Sequence, residues 1–134
     1  MILASLLFAF LAAALHVFIF TMESVTWTRP ATWKRFSIAS QEHAEITRPM
    51  AYNQGFYNLF LAAGAFIGIG LVAFGADGSA QGVAGWTLVF ASCGSMLLAS
   101  LVLALSGRKY LRAAATQGAT PLLAVVLGLV AVAL

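Results

Sequence analysis

The chain has 134 residues, 62% of them hydrophobic and only 8% charged, against about 25% charged residues in an ordinary soluble domain. Its formal charge of +3 comes from loop residues that orient membrane helices, so it carries no nucleic-acid signal. The one cysteine excludes an intrachain disulfide and a cysteine-pair metal site. Cys93 lies in an apolar run and reads as a small hydrophobe.

Four segments, about 2–24, 51–75, 83–106 and 113–134, reach the roughly 20 apolar residues that a bilayer crossing needs. The sequence therefore predicts an all-α integral membrane four-helix bundle as a single domain, with an interfacial loop over about 25–50. The first segment has no Lys or Arg before its apolar run and no small-x-small cleavage site after it, so it is expected to be a retained helix rather than a signal peptide. His16 and Glu23 are its two ionisable groups. In a regular helix their spacing puts them on nearly the same face, about 10 Å apart along the axis.

The first loop contains "SVTWTRPATWKRFSIASQEHAEITRP", in which Pro30 and Pro49 bracket Trp27, Trp33 and Phe36 interspersed with Arg29, Lys34 and Arg35. Aromatic rings and long basic stems favour the headgroup region, so a short helix lying on the membrane surface is expected, with plain anchoring preferred over a specific lipid site. Glu42, His43 and Glu45 could join Glu23 and His16 around zinc or iron. No spacing among them matches a metal motif, so no metal site is expected, and nothing beyond the count of two histidines suggests haem.

The second segment opens with "AYNQGFYNLFLAAG", which sets Asn53, Gln54, Tyr57 and Asn58 at the head of an apolar run. Gln54 and Asn58 share one face, Asn53 and Tyr57 another, and Gly55 leaves room between them for close approach. "GAFIG" and the series Ala91, Ser95, Ala99 have small-xxx-small spacing and are expected to be packing positions. The second loop, "ADGSAQG", holds Asp77 and no base, whereas all seven basic residues fall in the first and third loops. The positive-inside rule then places both basic loops in the cytoplasm and both termini outside, in the cell (inner) membrane.

Depth counted at 1.5 Å per residue puts Asn58 level with His16, and Gln117 and Ser100 in the same leaflet, so that all four helices contribute a polar group there. The opposite leaflet, with residues such as Leu71, Val72, Leu88 and Val89, has almost none. Amides in helical bundles also bond across helices merely to fix register. A histidine, a glutamate, a tyrosine and several amides at one depth favour a ligand or catalytic site instead, because intramembrane ionisable groups are costly.

Three phrases, "LHVFIFTMESVTW", "YNQGFYNLFLAAG" and "TQGATPLLAVVLGL", resemble blocks of a family of small four-helix membrane proteins, domain of unknown function 1304. The motifs H-x-x-I-F-x-x-E and N-Q-G-x-Y-N fall on His16, Ile19, Phe20 and Glu23, then Asn53, Gln54, Gly55, Tyr57 and Asn58. The family's end block reads like Q-G-x-P-A, whereas here Pro121 is displaced by one position, which bears on the start of the fourth helix. The resemblance implies a fold and a shared polar site and no activity. "TRPMAYNQGFYNLF" is also loosely similar to a block of the membrane-associated eicosanoid and glutathione metabolism superfamily. However, Phe56 stands where that block carries Glu, and Arg48 is the one clamp-like arginine nearby.

The expected function is binding, with or without acid/base processing, of a small lipophilic molecule at an intramembrane polar site near the cytoplasmic side. His16 would transfer protons and Glu23 would supply charge at the mouth, with Asn53, Gln54, Tyr57, Asn58 and Gln117 orienting the ligand. The alternatives are an oligomeric small-molecule transporter and an accessory subunit of a larger membrane complex. The expected partners are the lipid bilayer, the lipophilic ligand and further copies of the chain, with no nucleic acid. The sequence specifies no cofactor and leaves open whether the protein is an enzyme.

Overall fold

The computed structural model describes residues 1–76 and 78–134. Asp77, read above as part of the second loop, lies outside the described residues. The elements run α1 (Ile2–Phe20), a π-turn (Thr21–Val25), the short α2 (Pro30–Trp33), a 3-10 turn (Lys34–Phe36), α3 (Gln41–Phe74), α4 (Ala80–Leu105), a second 3-10 turn (Arg108–Tyr110) and α5 (Leu111–Ala133). Four stretches, Ile2–Val25, Gln41–Phe74, Ala80–Leu105 and Arg108–Ala133, are long and apolar enough to cross a membrane. The chain is a small multi-pass membrane protein.

The helix boundaries depart from expectation at identifiable signals. Residues 41–50, expected in the interfacial loop, form the start of α3. Ser40 caps this start by accepting the His43 N–H at 3.2 Å, and Glu42 adds an acid in the first turn. Pro49 lies inside the helix rather than before it. At 34 residues, α3 is about 50 Å long, well beyond a hydrocarbon core of about 30 Å, so its charged first turns project from the core. Likewise α4 starts at Ala80, because Ser79 caps it by accepting the Gly82 N–H at 3.1 Å. Pro121, displaced in the end block, lies buried in the interior of α5, well past its start.

The chain forms two compact units, and one consists of Met1–Leu15 and Leu61–Leu134. All four long helices contribute to it, with a core made largely of small residues, among them Ala9, Ala13, Ala62, Ala65, Cys93 and Ala124. Small side chains let backbones touch where lipid gives helices no hydrophobic reason to associate. A Cβ at Gly68 would stand 2.9 Å from both the Gly85 carbonyl and the Val89 nitrogen, and one at Gly85 would stand 2.7 Å from the Val72 nitrogen. Ser5, fully buried, ties α1 to α5 by donating to the Ala124 carbonyl at 2.7 Å. The buried stripe of α4 is Gly85, Val89, Ser92, Cys93, Met96 and Ser100. Ala91, Ser95 and Ala99, expected to pack, lie on another stripe and are exposed.

The other unit is His16–Phe60. Its backbone widens at the end of α1, where the Thr26 N–H bonds the Thr21 carbonyl five residues back at 2.9 Å. The segment that follows is built around two tryptophans. Trp27, 7% exposed, donates its indole N–H to the Ala44 carbonyl at 2.9 Å, and Trp33, 9% exposed, donates to Gln41 Oε1 at 2.9 Å. Phe36 packs on Trp27 at 5.0 Å between ring centres. These rings therefore fasten the loop to the start of α3. Indole combines a large apolar surface with one donor, and the carbonyls of α3 satisfy that donor here.

Candidate functional site

The polar groups of the His16–Phe60 unit sit where the π-turn meets α3. Thr21 donates to the Phe18 carbonyl at 2.7 Å, a local bond of the kind that bends helices. Two residues on, Glu23 accepts from Asn58 Nδ2 at 2.9 Å, and the same amide nitrogen donates to the Gln54 carbonyl at 3.1 Å. Both partners are acceptors, which fixes the orientation of the Asn58 amide. Ser24 Oγ donates to the Tyr52 carbonyl at 2.9 Å, a second tie between the turn and α3.

Gly55 makes this approach workable. A Cβ there would collide with Ser24 Oγ and would lie 3.1 Å from both Glu23 Cβ and the Ser24 nitrogen. Beside it, Phe56 packs edge-on against Phe20 at 5.2 Å and against Tyr52 at 5.0 Å. The acid–amide pair is half-buried.

Hydrogen-bonding capacity remains in the pair. Both hydrogens of the Asn58 amide are used, but Glu23 Oε1 and Asn58 Oδ1 have no partner among the described residues. Two free acceptors, one of them on a carboxylate, suit a guest that donates hydrogen bonds.

The other expected residues are distributed differently. His16 is fully buried in the same unit, one helical turn and part of the π-turn before Glu23. Asn58, expected level with His16, bonds Glu23. α3 begins at Gln41 rather than near Ala51, and α1 closes in a π-turn rather than running on as a regular helix. Asn53, Gln54 and Tyr57 are exposed on α3, with Tyr57 56% accessible. Gln117 is half-buried on α5, in the other unit. There Ser100, buried, donates to the Leu97 carbonyl at 2.7 Å.

Among the described residues, no three His, Cys, Asp or Glu side chains gather to hold a metal ion. Glu42, His43 and Glu45 are exposed on the first turns of α3, where His43 Nδ1 lies 3.1 Å from Ser40 Oγ and Glu45 accepts from Gln41 at 3.1 Å. Sequence reasoning missed Ser24. Its signal was a hydroxyl beside the acid at a helix end, with a glycine available on the facing helix.

A family model described as a protein of unknown function (DUF1304) matches residues 10–129. No curated protein and no solved structure matches the chain.

Proposed function

The chain belongs to the DUF1304 family, whose function is not established, and from that premise we propose that it binds a small lipophilic molecule bearing a hydroxyl or amine group. The polar end of the guest rests on Glu23 and Asn58, and its apolar body lies along Phe20 and Phe56. The observation that carries this reading is the half-buried acid–amide pair with two free acceptors at the end of a membrane helix. A carboxylate in such a place is costly unless something uses it. The basic loops favour access from the cytoplasmic leaflet. Acid/base processing falls to His16, whose ordinary pKa lies nearest neutrality.

One observation favours a second reading. Asn53, Gln54 and Tyr57 are exposed on a membrane helix, and such groups find partners on a neighbouring protein more readily than in lipid. An accessory subunit of a larger complex would cover them.

Native mass spectrometry of protein extracted gently from its own membrane separates the two. The binding reading expects a small adduct that is lost in Glu23→Gln and Asn58→Leu while the protein stays folded. A bare chain held in a larger assembly, unchanged by either substitution, would refute it and favour the subunit.

A further inference from the structure

The π-turn also borders a groove. Phe18, Thr21 and Met22 of the first span, with Thr26, Ala31, Thr32 and Arg35 of the following segment, line this groove of about 220 Å³. Its lining is mixed: Phe18, 49% exposed, Met22 and Ala31 are apolar, while Thr21, Thr26, Thr32 and Arg35 bring three hydroxyls and one cation.

The charge of Arg35 is uncompensated. The stretch 26–40 carries Arg29, Lys34 and Arg35 and no acid, and among the described residues Arg35 has no ion-pair partner. Lys34 is held over the Trp33 ring at 5.5 Å, and the buried tryptophans fix the segment that presents all three cations. Thr26 Oγ1 and Thr32 Oγ1 lie 3.0 Å apart. Their mutual bond uses one of two hydroxyl protons. The other reaches at best the Thr21 carbonyl, from Thr26 at a long 3.3 Å, so it is easily surrendered to a stronger acceptor.

A guanidinium and a hydroxyl donor in one groove with apolar side chains match an anionic phosphate joined to an acyl chain. The geometry points to a specific site for one anionic phospholipid, with its phosphate on Arg35 and Thr32 and the top of an acyl chain along Phe18 and Met22. Charge complementarity selects the occupant. The three cations repel the choline of a zwitterionic lipid and favour a headgroup with net negative charge. A free phosphate would leave the apolar side chains unused.

The test is native mass spectrometry of the full-length protein titrated with phosphatidylglycerol, with phosphatidylcholine of the same acyl chains, and with soluble glycerol phosphate. The expected result is one phosphatidylglycerol retained in clear preference to phosphatidylcholine, with negligible glycerol phosphate. Arg35→Gln should lose about fivefold in retention, the effect of one juxtamembrane cation, and Arg29→Gln, outside the groove lining, much less. Ala31→Phe keeps every charge and fills the groove, and it should also displace the lipid. All three substituted positions are exposed, so folding is not at stake. Equal retention of the two lipids overturns the site, as does equal loss from Arg29→Gln and Arg35→Gln. Full retention by Ala31→Phe would show a diffuse surface field and refute the groove, and glycerol phosphate bound as well as lipid would replace the lipid with a soluble phosphate.

Discussion

Replacing Gly55 by Ala tests the contact on which the candidate site depends. On an isolated helix the change should help, since Ala is favoured over Gly by about 1 kcal/mol. In the folded chain the added methyl meets Ser24 Oγ, and its other neighbours at 3.1 Å, Glu23 Cβ and the Ser24 nitrogen, belong to the turn itself. Rotating Ser24 away sacrifices its bond to the Tyr52 carbonyl, worth about 1 kcal/mol. Moving the turn adds an overpacking cost of about 1–3 kcal/mol. The net expectation is destabilisation by about 1–3 kcal/mol, combined with separation of Glu23 from Asn58. Gly70→Ala is the control, because a Cβ there meets nothing within 4 Å; it should be neutral or stabilising by up to about 1 kcal/mol. Unfolding in mixed micelles by titration with a denaturing detergent, followed by circular dichroism, compares the two. A Gly55→Ala protein as stable as Gly70→Ala would refute the close approach and the site geometry built on it.

Four further outcomes are expected. A double-mutant cycle of Glu23→Leu and Asn58→Leu should give a coupling of about 0.6–1.7 kcal/mol, from the average to the maximum for hydrogen bonds between membrane helices; a value near zero would mean the pair is not formed. Gly68→Val puts a branched side chain against the Gly85 carbonyl and Val89 nitrogen, so the same unfolding assay should show a loss of at least about 1–3 kcal/mol. Trp27→Phe removes the indole bond to the Ala44 carbonyl, worth about 1 kcal/mol, and should raise hydrogen exchange in residues 41–48; unchanged exchange would argue against the fastening role. With Cys93 replaced by Ser, single cysteines at Ser37 and Lys109 should react with an impermeant maleimide only from the cytoplasmic face, and one at Gly78 only from outside; the reverse pattern would invert the topology.

The architecture was legible because bilayer thickness constrains it so tightly. Four apolar runs of sufficient length leave little alternative to four membrane helices. The ends of those helices were harder to read, because they follow local chemistry rather than hydropathy. Pro49 reads as a boundary, yet the cap at Ser40 lies nine residues earlier, and the helix runs through the proline. The acid of the site, Glu23, and its partner Asn58 were both recognisable as costly polar groups in apolar surroundings. Their pairing was not, because a seven-residue spacing fixes relative faces only in a regular helix, and α1 ends in a π-turn that the composition of "TMESV" does not announce. Trp27 and Trp33 show a similar limit. Indole suits both a headgroup layer and a small protein core, and the carbonyl that accepts from Trp27, that of Ala44, belongs to a turn that hydropathy assigned to a loop.

The most direct measurement is a high-resolution density map of the wild-type protein in nanodiscs of its own membrane lipids, held by a rigid antibody fragment. The expected result is compact non-protein density within hydrogen-bonding distance of Glu23 Oε1 and Asn58 Oδ1, extending along Phe20 and Phe56. An empty pair, or one covered by the helix of another protein, would contradict the binding site.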